Sequence, residues 1–368
     1  FFAFYPSFKT LRDSAGLTDS DKGYFELEYN TTGSGSSAKH EYWIKKFKVN
    51  EDIARHSDFV TGTVDGSKTN NLYSGVNLTL QHQLSRIDVR AYCASESYNV
   101  EIAGVRVGGI ATECDFNFEG TGHPAWCNTQ VGKFTGTNMK KGLTEYIYRK
   151  GDTVITIGSG NHDTEGSSVS IMGEGGRAMV IPYNYPRWKY TGYAYPSTQP
   201  LYFSVLLRVK EKATTDNKLI YPYVEGSVLQ GSVKTDEMKV VYLSVEKETG
   251  KVIRRVYMQG KSFFKDKNCS ADSVYSVPEG AEVRNYGWAA VVPYSGGDAT
   301  ANYHLWNPGC DYIYRLNYTS GIGVQDPQDV LPGRPIIAPI EVTGTEKPWH
   351  TVNDYVDVEV KDVTFTIE

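Results

Sequence analysis

Apolar and polar positions in this chain alternate in short runs. The most extended covers residues 76–92, VNLTLQHQLSRIDVRAY, where Val76, Leu78, Leu80 and Leu84 share one phase and Ile87 and Val89 take the other. Period-two spacing with no Pro or Gly inside predicts a strand. The run is about three times a typical strand length, so the phase slip at Gln83–Ser85 predicts a bend or bulge. Leu78 and Leu80 are expected in the core.

Upstream, FFAFYPSF reads as a strand ending in a turn at Pro6. An opening so apolar is read as the middle of a strand, with an expectation that residues precede it. Residues 23–29 alternate through Phe25, Leu27 and Tyr29, and residues 41–49 through Tyr42 and Ile44 with a shift at Phe47. Residues 1–75 hold too few strands to close a sandwich. They are read as the remaining part of an N-terminal domain, with residues 76–368 as a second one.

Downstream, residues 98–110 predict two short runs around Gly104, and residues 114–120 a further strand. Residues 144–158 predict a hairpin turning at Lys150-Gly151-Asp152. Residues 200–212 form the strongest strand pattern after the first, turned back at Asp216-Asn217 into KLIYPYVEG. Residues 240–297 add three or four short strands, SVYSV among them. After the turn at Asn307-Pro308-Gly309, Tyr312, Tyr314, Leu316 and Tyr318 alternate, and residues 336–349 and 356–368 complete the chain. No helix beyond three turns and no fixed-period repeat is predicted. Many short strands with frequent turn signals give an all-β sandwich.

Composition strengthens this: 27 Tyr and 36 Gly stand against five Met, and Tyr favours strands while Gly favours turns. The net charge of −5 argues against a nucleic-acid partner. Of the five cysteines, Cys114 and Cys127 flank a loop and could pair in an oxidising compartment; the alternative is free thiols.

Catalysis finds no constellation. The seven histidines are dispersed, none in a metal-ligand spacing, and the glycine loops precede no helix. No catalytic, cofactor or metal residue is assigned, and the chain is read as a non-enzyme. His82 is expected to be a hydrogen-bonded structural histidine. The aromatic, basic loop of Arg187, Trp188, Tyr190, Tyr193 and Tyr195 is a candidate for contact with a partner such as a glycan.

Several landmarks, in order, carry a resemblance: the FFAFYPS opening, Asp58-Phe59, LTLQHQLSRIDV, GRAMVIP, LIYPY, LWNPGCDYIYRLNY, and PIEV followed by Trp349. Together the chain resembles the fimbrillin-like family of Bacteroidales, subunits and accessory proteins of type V pili. The resemblance implies two transthyretin-like β-sandwich domains, with the His82 strand opening the second. It implies export as a lipoprotein precursor, outer-membrane association, removal of an N-terminal strand by an arginine-specific protease, and polymerisation by donor-strand exchange with neighbouring pilus subunits. Residues around 224–303 exceed the family's needs and suggest an insertion.

Within that frame Phe2, Phe4, Phe25 and Leu27 are expected to line an acceptor groove on an open sheet edge. Val356, Val358 and Val360, then after a slip Val363, Phe365 and Ile367, are expected to form the donor strand. Such a strand is marginal alone and firmly held when it adds to an open sheet. Its alternative role is the last strand of its own domain. The expected function is a structural or accessory subunit of a cell-surface fimbria mediating adhesion. The alternative is a surface adhesin or glycan-binding protein on the same scaffold, at the filament tip, contacting a host or bacterial surface protein or glycan.

Overall fold

The computed structural model describes residues 2–32, 34–35, 38–64, 78–118, 126, 139–158, 160–173, 176–189, 195–212, 218–222, 240–292, 303–329 and 332–348. The fold is all-β. The first half contains β1 (Phe2–Tyr5), helix α1 (Phe8–Ser14), β2 (Glu26–Thr32), β3 (Lys39–Lys48), β4 (Val60–Thr63), β5 (Gln81–His82), β6 (Ser85–Tyr92), β7 (Tyr98–Asn117), β8 (Lys140–Ile147), β9 (Ile155–Ile157), β10 (Val169–Ser170) and β11 (Ala178–Val180). There follow β12 (Asn184–Pro186), β13 (Tyr202–Glu211), β14 (Leu219–Tyr221), β15 (Val240–Glu246), β16 (Val252–Gln259), β17 (Ser262–Phe264), β18 (Ala281–Val291), β19 (Tyr303–Leu305), β20 (Cys310–Asn317), β21 (Val324–Gln325) and β22 (Glu341–Pro348). The short helix starts where Ser7 accepts a hydrogen bond from the Thr10 amide, and buries Leu11.

The main sheet runs β17-β16-β15-β18-β13-β7-β3-β2, with β8 and β9 also on β7. A second sheet has β10 and β11 on one side of β6, then β20 parallel to β6, then β22. The two pack face to face: Phe203 of β13 and Tyr314 of β20 have ring centroids 4.9 Å apart. The alternation at Tyr312, Tyr314, Leu316 and Tyr318 is realised, each being at most 1% exposed. A three-stranded sheet, β1-β4-β5, lies over the β3–β2 end.

Four expectations are corrected. The run at residues 76–92 is two strands, β5 and β6, broken where the phase slips; its first residues, Val76 and the domain boundary near Gly75, lie outside the described residues. Leu78 and Leu80 are 37% and 38% exposed, whereas Leu84, Ile87 and Val89 are buried. Alternation marks two faces of a strand, and only packing decides whether either is covered.

The runs at residues 98–110 and 114–117 are one strand, β7. Its glycines did not end it because the sheet absorbs them in register shifts: β8 passes from Gly108 to Ile110 and skips Gly109. That residue has φ +73°, and a Cβ there would meet the Pro200 carbonyl oxygen at 2.2 Å. The third correction concerns residues 144–158, which make no hairpin. β8 and β9 lie end to end against β7, and the residues between them reach across to β16. The amides of Gly151 and Val154 donate to Val252 O (2.9 Å) and Gly250 O (3.1 Å), and that of Val252 to Asp152 O (2.8 Å). The series β8/β9–β7–β13–β18–β15–β16 thereby closes on itself. Finally, SVYSV contributes only a bridge from Val274 to Phe264.

Candidate functional site

The landmark residues, far apart in sequence, meet around β6 and β20, and what they do there is hold strands together. Arg86 on β6 donates through Nε and Nη2 to the two oxygens of Asp311 on β20, at 3.1 and 3.0 Å. Arg177, entering β11, adds a third contact at 3.0 Å. Asp311 is fully buried, so its charge is sustained by these partners. His82 Nδ1 lies 2.6 Å from Asp58 Oδ2, which ties β5 to the approach of β4. Trp306 Nε1 donates to the Tyr314 hydroxyl at 2.7 Å, which leaves that hydroxyl's proton for His304 Nε2. Burial, reinforced by the Arg187 charge, lowers the His304 pKa to about 4, so the ring accepts as neutral imidazole. His56 is similar: burial lowers its pKa to about 4, Nε2 faces the Asn50 carbonyl at 2.9 Å, and Nδ1 accepts from the Met179 amide. These histidines are structural ties.

The expected acceptor residues divide. Among the described strands β2 is the last of the main sheet, and Leu27 sits in register with Ile44 of β3. Cross-strand partners share a face, and Ile44 is 0% exposed whereas Leu27 is 49% exposed. Leu27 therefore faces inward at a place where described residues do not cover the core. Phe2 and Phe4 on β1, an edge of the three-stranded sheet, are half-buried beside it. Phe2 packs on Tyr42 (4.6 Å) and Phe118 (4.8 Å), Phe4 on Phe8 (4.4 Å), and Tyr29 on Tyr42 (4.8 Å). Phe25, by contrast, is buried against Phe47 at 5.1 Å. Among the described residues the result is an apolar, aromatic mouth between two sheet edges. The donor residues Val356, Val358, Val360, Val363, Phe365 and Ile367 lie outside the described residues.

In the aromatic loop, Arg187 and Trp188 are buried, with Trp188 edge-on to Tyr202 (5.8 Å) and Tyr195 (6.0 Å). Tyr190 and Tyr193 lie outside the described residues. Tyr195 lines a depression of about 470 Å³ with Lys140, Lys141, Gln199 and Gln328. An adjoining one of about 480 Å³, with Arg106, Glu145 and Arg149, sits at the mouth of the closed strand series. Sequence reasoning missed this cleft. Arg106, paired with Asp326 and lying 4.2 Å over the Trp288 ring, carried no local signal because its partners come from β18 and the residues after β21. Among the described residues no group of three or more His, Cys, Asp or Glu could hold a metal ion. Cys114 is disulfide-bonded, while Cys93, Cys269 and Cys310 are free; Cys127 lies outside the described residues.

No protein-family model and no curated protein matches the chain. Among solved structures it is similar to a fimbrilin of Porphyromonas gingivalis W83, at 13% identity over 89% of this chain and 82% of that one, TM-score 0.34. It is also similar to a candidate cell adhesion protein of Parabacteroides distasonis (8% identity, 87% and 88% covered, TM-score 0.34) and to another of Bacteroides uniformis (10%, 95% and 72%, TM-score 0.27). Superpositions this loose carry no argument beyond the likeness.

Proposed function

We propose that the chain is a structural or accessory subunit of a cell-surface fimbria, built into the filament by donor-strand exchange with neighbouring subunits and active without catalysis. The observation that supports this best is Leu27: an inward-facing apolar side chain on a terminal strand, half exposed beside a fully buried partner. An added strand would continue the β2 ladder and lay alternate side chains over Leu27, Phe2 and Phe4. Main-chain hydrogen bonds would supply affinity and the apolar mouth register. The ordered landmarks point to the same scaffold, with two sandwich domains meeting near Gly75, an insertion around 224–303, and residues 356–367 as donor. A processed lipoprotein precursor at the outer membrane belongs to the same reading.

The test is assembly of the purified protein, before and after protease treatment, followed by electron microscopy and sedimentation. Leu27→Asp should leave the melting temperature of the isolated subunit unchanged within about 2 °C, since a half-exposed site tolerates charge. It should abolish filaments, since a carboxylate would be buried without a partner. Filaments of normal length from Leu27→Asp would sink the reading. The second reading, a surface adhesin or glycan-binding protein on the same scaffold, draws on the Tyr195 depression; monomers that bind glycan arrays and never polymerise would favour it.

A further inference from the structure

At the opposite end of the main sheet from β2, the β16–β17 hairpin has a charge unlike the rest of the chain. Residues 251–267 hold six of the 38 Lys and Arg and one of the 43 Asp and Glu, a local net of +5. Everything else holds 32 against 42, a net of −10. The overall charge of −5 conceals this asymmetry. Lys251, Arg255, Lys261, Lys265 and Lys267 are exposed, and none of them forms an ion pair with a described residue. Asp266 does not neutralise them. Its carboxylate is turned to its own loop, where it accepts from the Asn268 amide (2.7 Å) and the Ser270 hydroxyl (3.3 Å).

Five cations on one exposed element, without an ion pair among the described residues and with Arg255 bordering the cleft that holds Glu51, Asp52 and Glu145, make an anion-binding surface, and its form narrows the partner. The eight residues of β16 rise about 3.4 Å each, so the cations from Lys251 to the turn at Lys261 form a strip about 25–30 Å long. A flat lipid surface meeting the tip would leave Lys251 and Arg255 out of reach. Single-stranded nucleic acid needs open aromatic faces for stacking. Here Arg255 lies over the Tyr257 ring and Arg254 over the Tyr275 ring, both at 5.6 Å. A linear polymer with spaced carboxylates or sulfates and hydroxyls between them fits both features. Exposed Gln259, Ser262 and Asn268 stand among the cations as hydrogen-bond partners.

We propose that the β16–β17 hairpin binds an acidic polysaccharide. This surface is separate from the β2 edge, and the proposal does not depend on strand addition. The test uses the full chain and a size-defined heparin oligosaccharide, with uncharged dextran as the blank, by titration calorimetry. Binding should weaken at least about tenfold between 50 and 200 mM salt, as counterion release requires. The Lys261→Glu/Lys265→Glu/Lys267→Glu variant should weaken binding at least about tenfold, and Lys251→Gln/Arg255→Gln measurably. The equally charged control Lys9→Glu/Lys22→Glu/Lys46→Glu, whose three lysines are exposed elsewhere, should retain affinity. Circular dichroism confirms that each variant is folded. Absence of heparin binding at 50 mM salt, equal losses in the hairpin and control variants, or tighter binding to anionic vesicles or DNA than to heparin would each overturn the proposal.

Discussion

Replacing Asp311 by Asn removes the charge that Arg86 and Arg177 share at the junction of β6, β11 and β20. The side chain of Asp311 is 0% exposed, those of Arg86 and Arg177 are 21% and 36% exposed, and both contacts are 3.0 Å. At an effective dielectric constant of about 20, unit charges 3 Å apart attract by about 5 kcal/mol. Desolvation of the carboxylate offsets much of that in the intact protein. Removing one partner nevertheless leaves the other charged and poorly solvated, which costs about 3–5 kcal/mol in buried pairs. The two guanidinium groups retain partial access to water, so about 3 kcal/mol is the expected loss for Asp311→Asn. Urea unfolding at pH 7 measures it, and the cycle with Arg86→Ala should give a coupling of about 1.5–3 kcal/mol. Since the carboxylate is buried, raising the salt concentration should change the loss little. A variant within about 0.5 kcal/mol of the parent, or an additive cycle, would show that these residues do not lock β6, β11 and β20 together.

Two further outcomes follow from burial. His304 has its pKa lowered from 6.5 to about 4 by burial, so its contribution to stability is full above pH 6.5 and is lost as pH falls through the window down to about 4. Wild type should lose roughly 3 kcal/mol more than His304→Gln between pH 7 and pH 4; a difference independent of pH would refute this. Ile87→Ala, at 0% exposure, should cost about 2–5 kcal/mol. Leu80→Ala, at 38% exposure, should cost under about 1 kcal/mol, and equal thermal shifts would contradict the burial assigned to the two halves of residues 76–92.

The sequence by itself determined the fold class and most strand positions, because alternation and turn residues act within a few positions of one another. The 202–211 strand and its return through Leu219–Tyr221, the turn before Cys310, and the alternating tyrosines of β20 were all legible for that reason. It also marked the phase slip at Gln83–Ser85. What only the tertiary structure decided is which faces are covered and which distant strands meet. Leu27 and Leu80 carry the same alternating signal as Ile44 and Ile87, yet the first two are open and the last two closed. Burial is set by neighbours brought from elsewhere in the chain. Arg86, Arg177 and Asp311 likewise became one cluster only through the pairing of β6 with β11 and β20. The basic hairpin was present in the letters but hidden in the net charge. It took the exposure of β16 and its turn to show that five of those cations face solvent together.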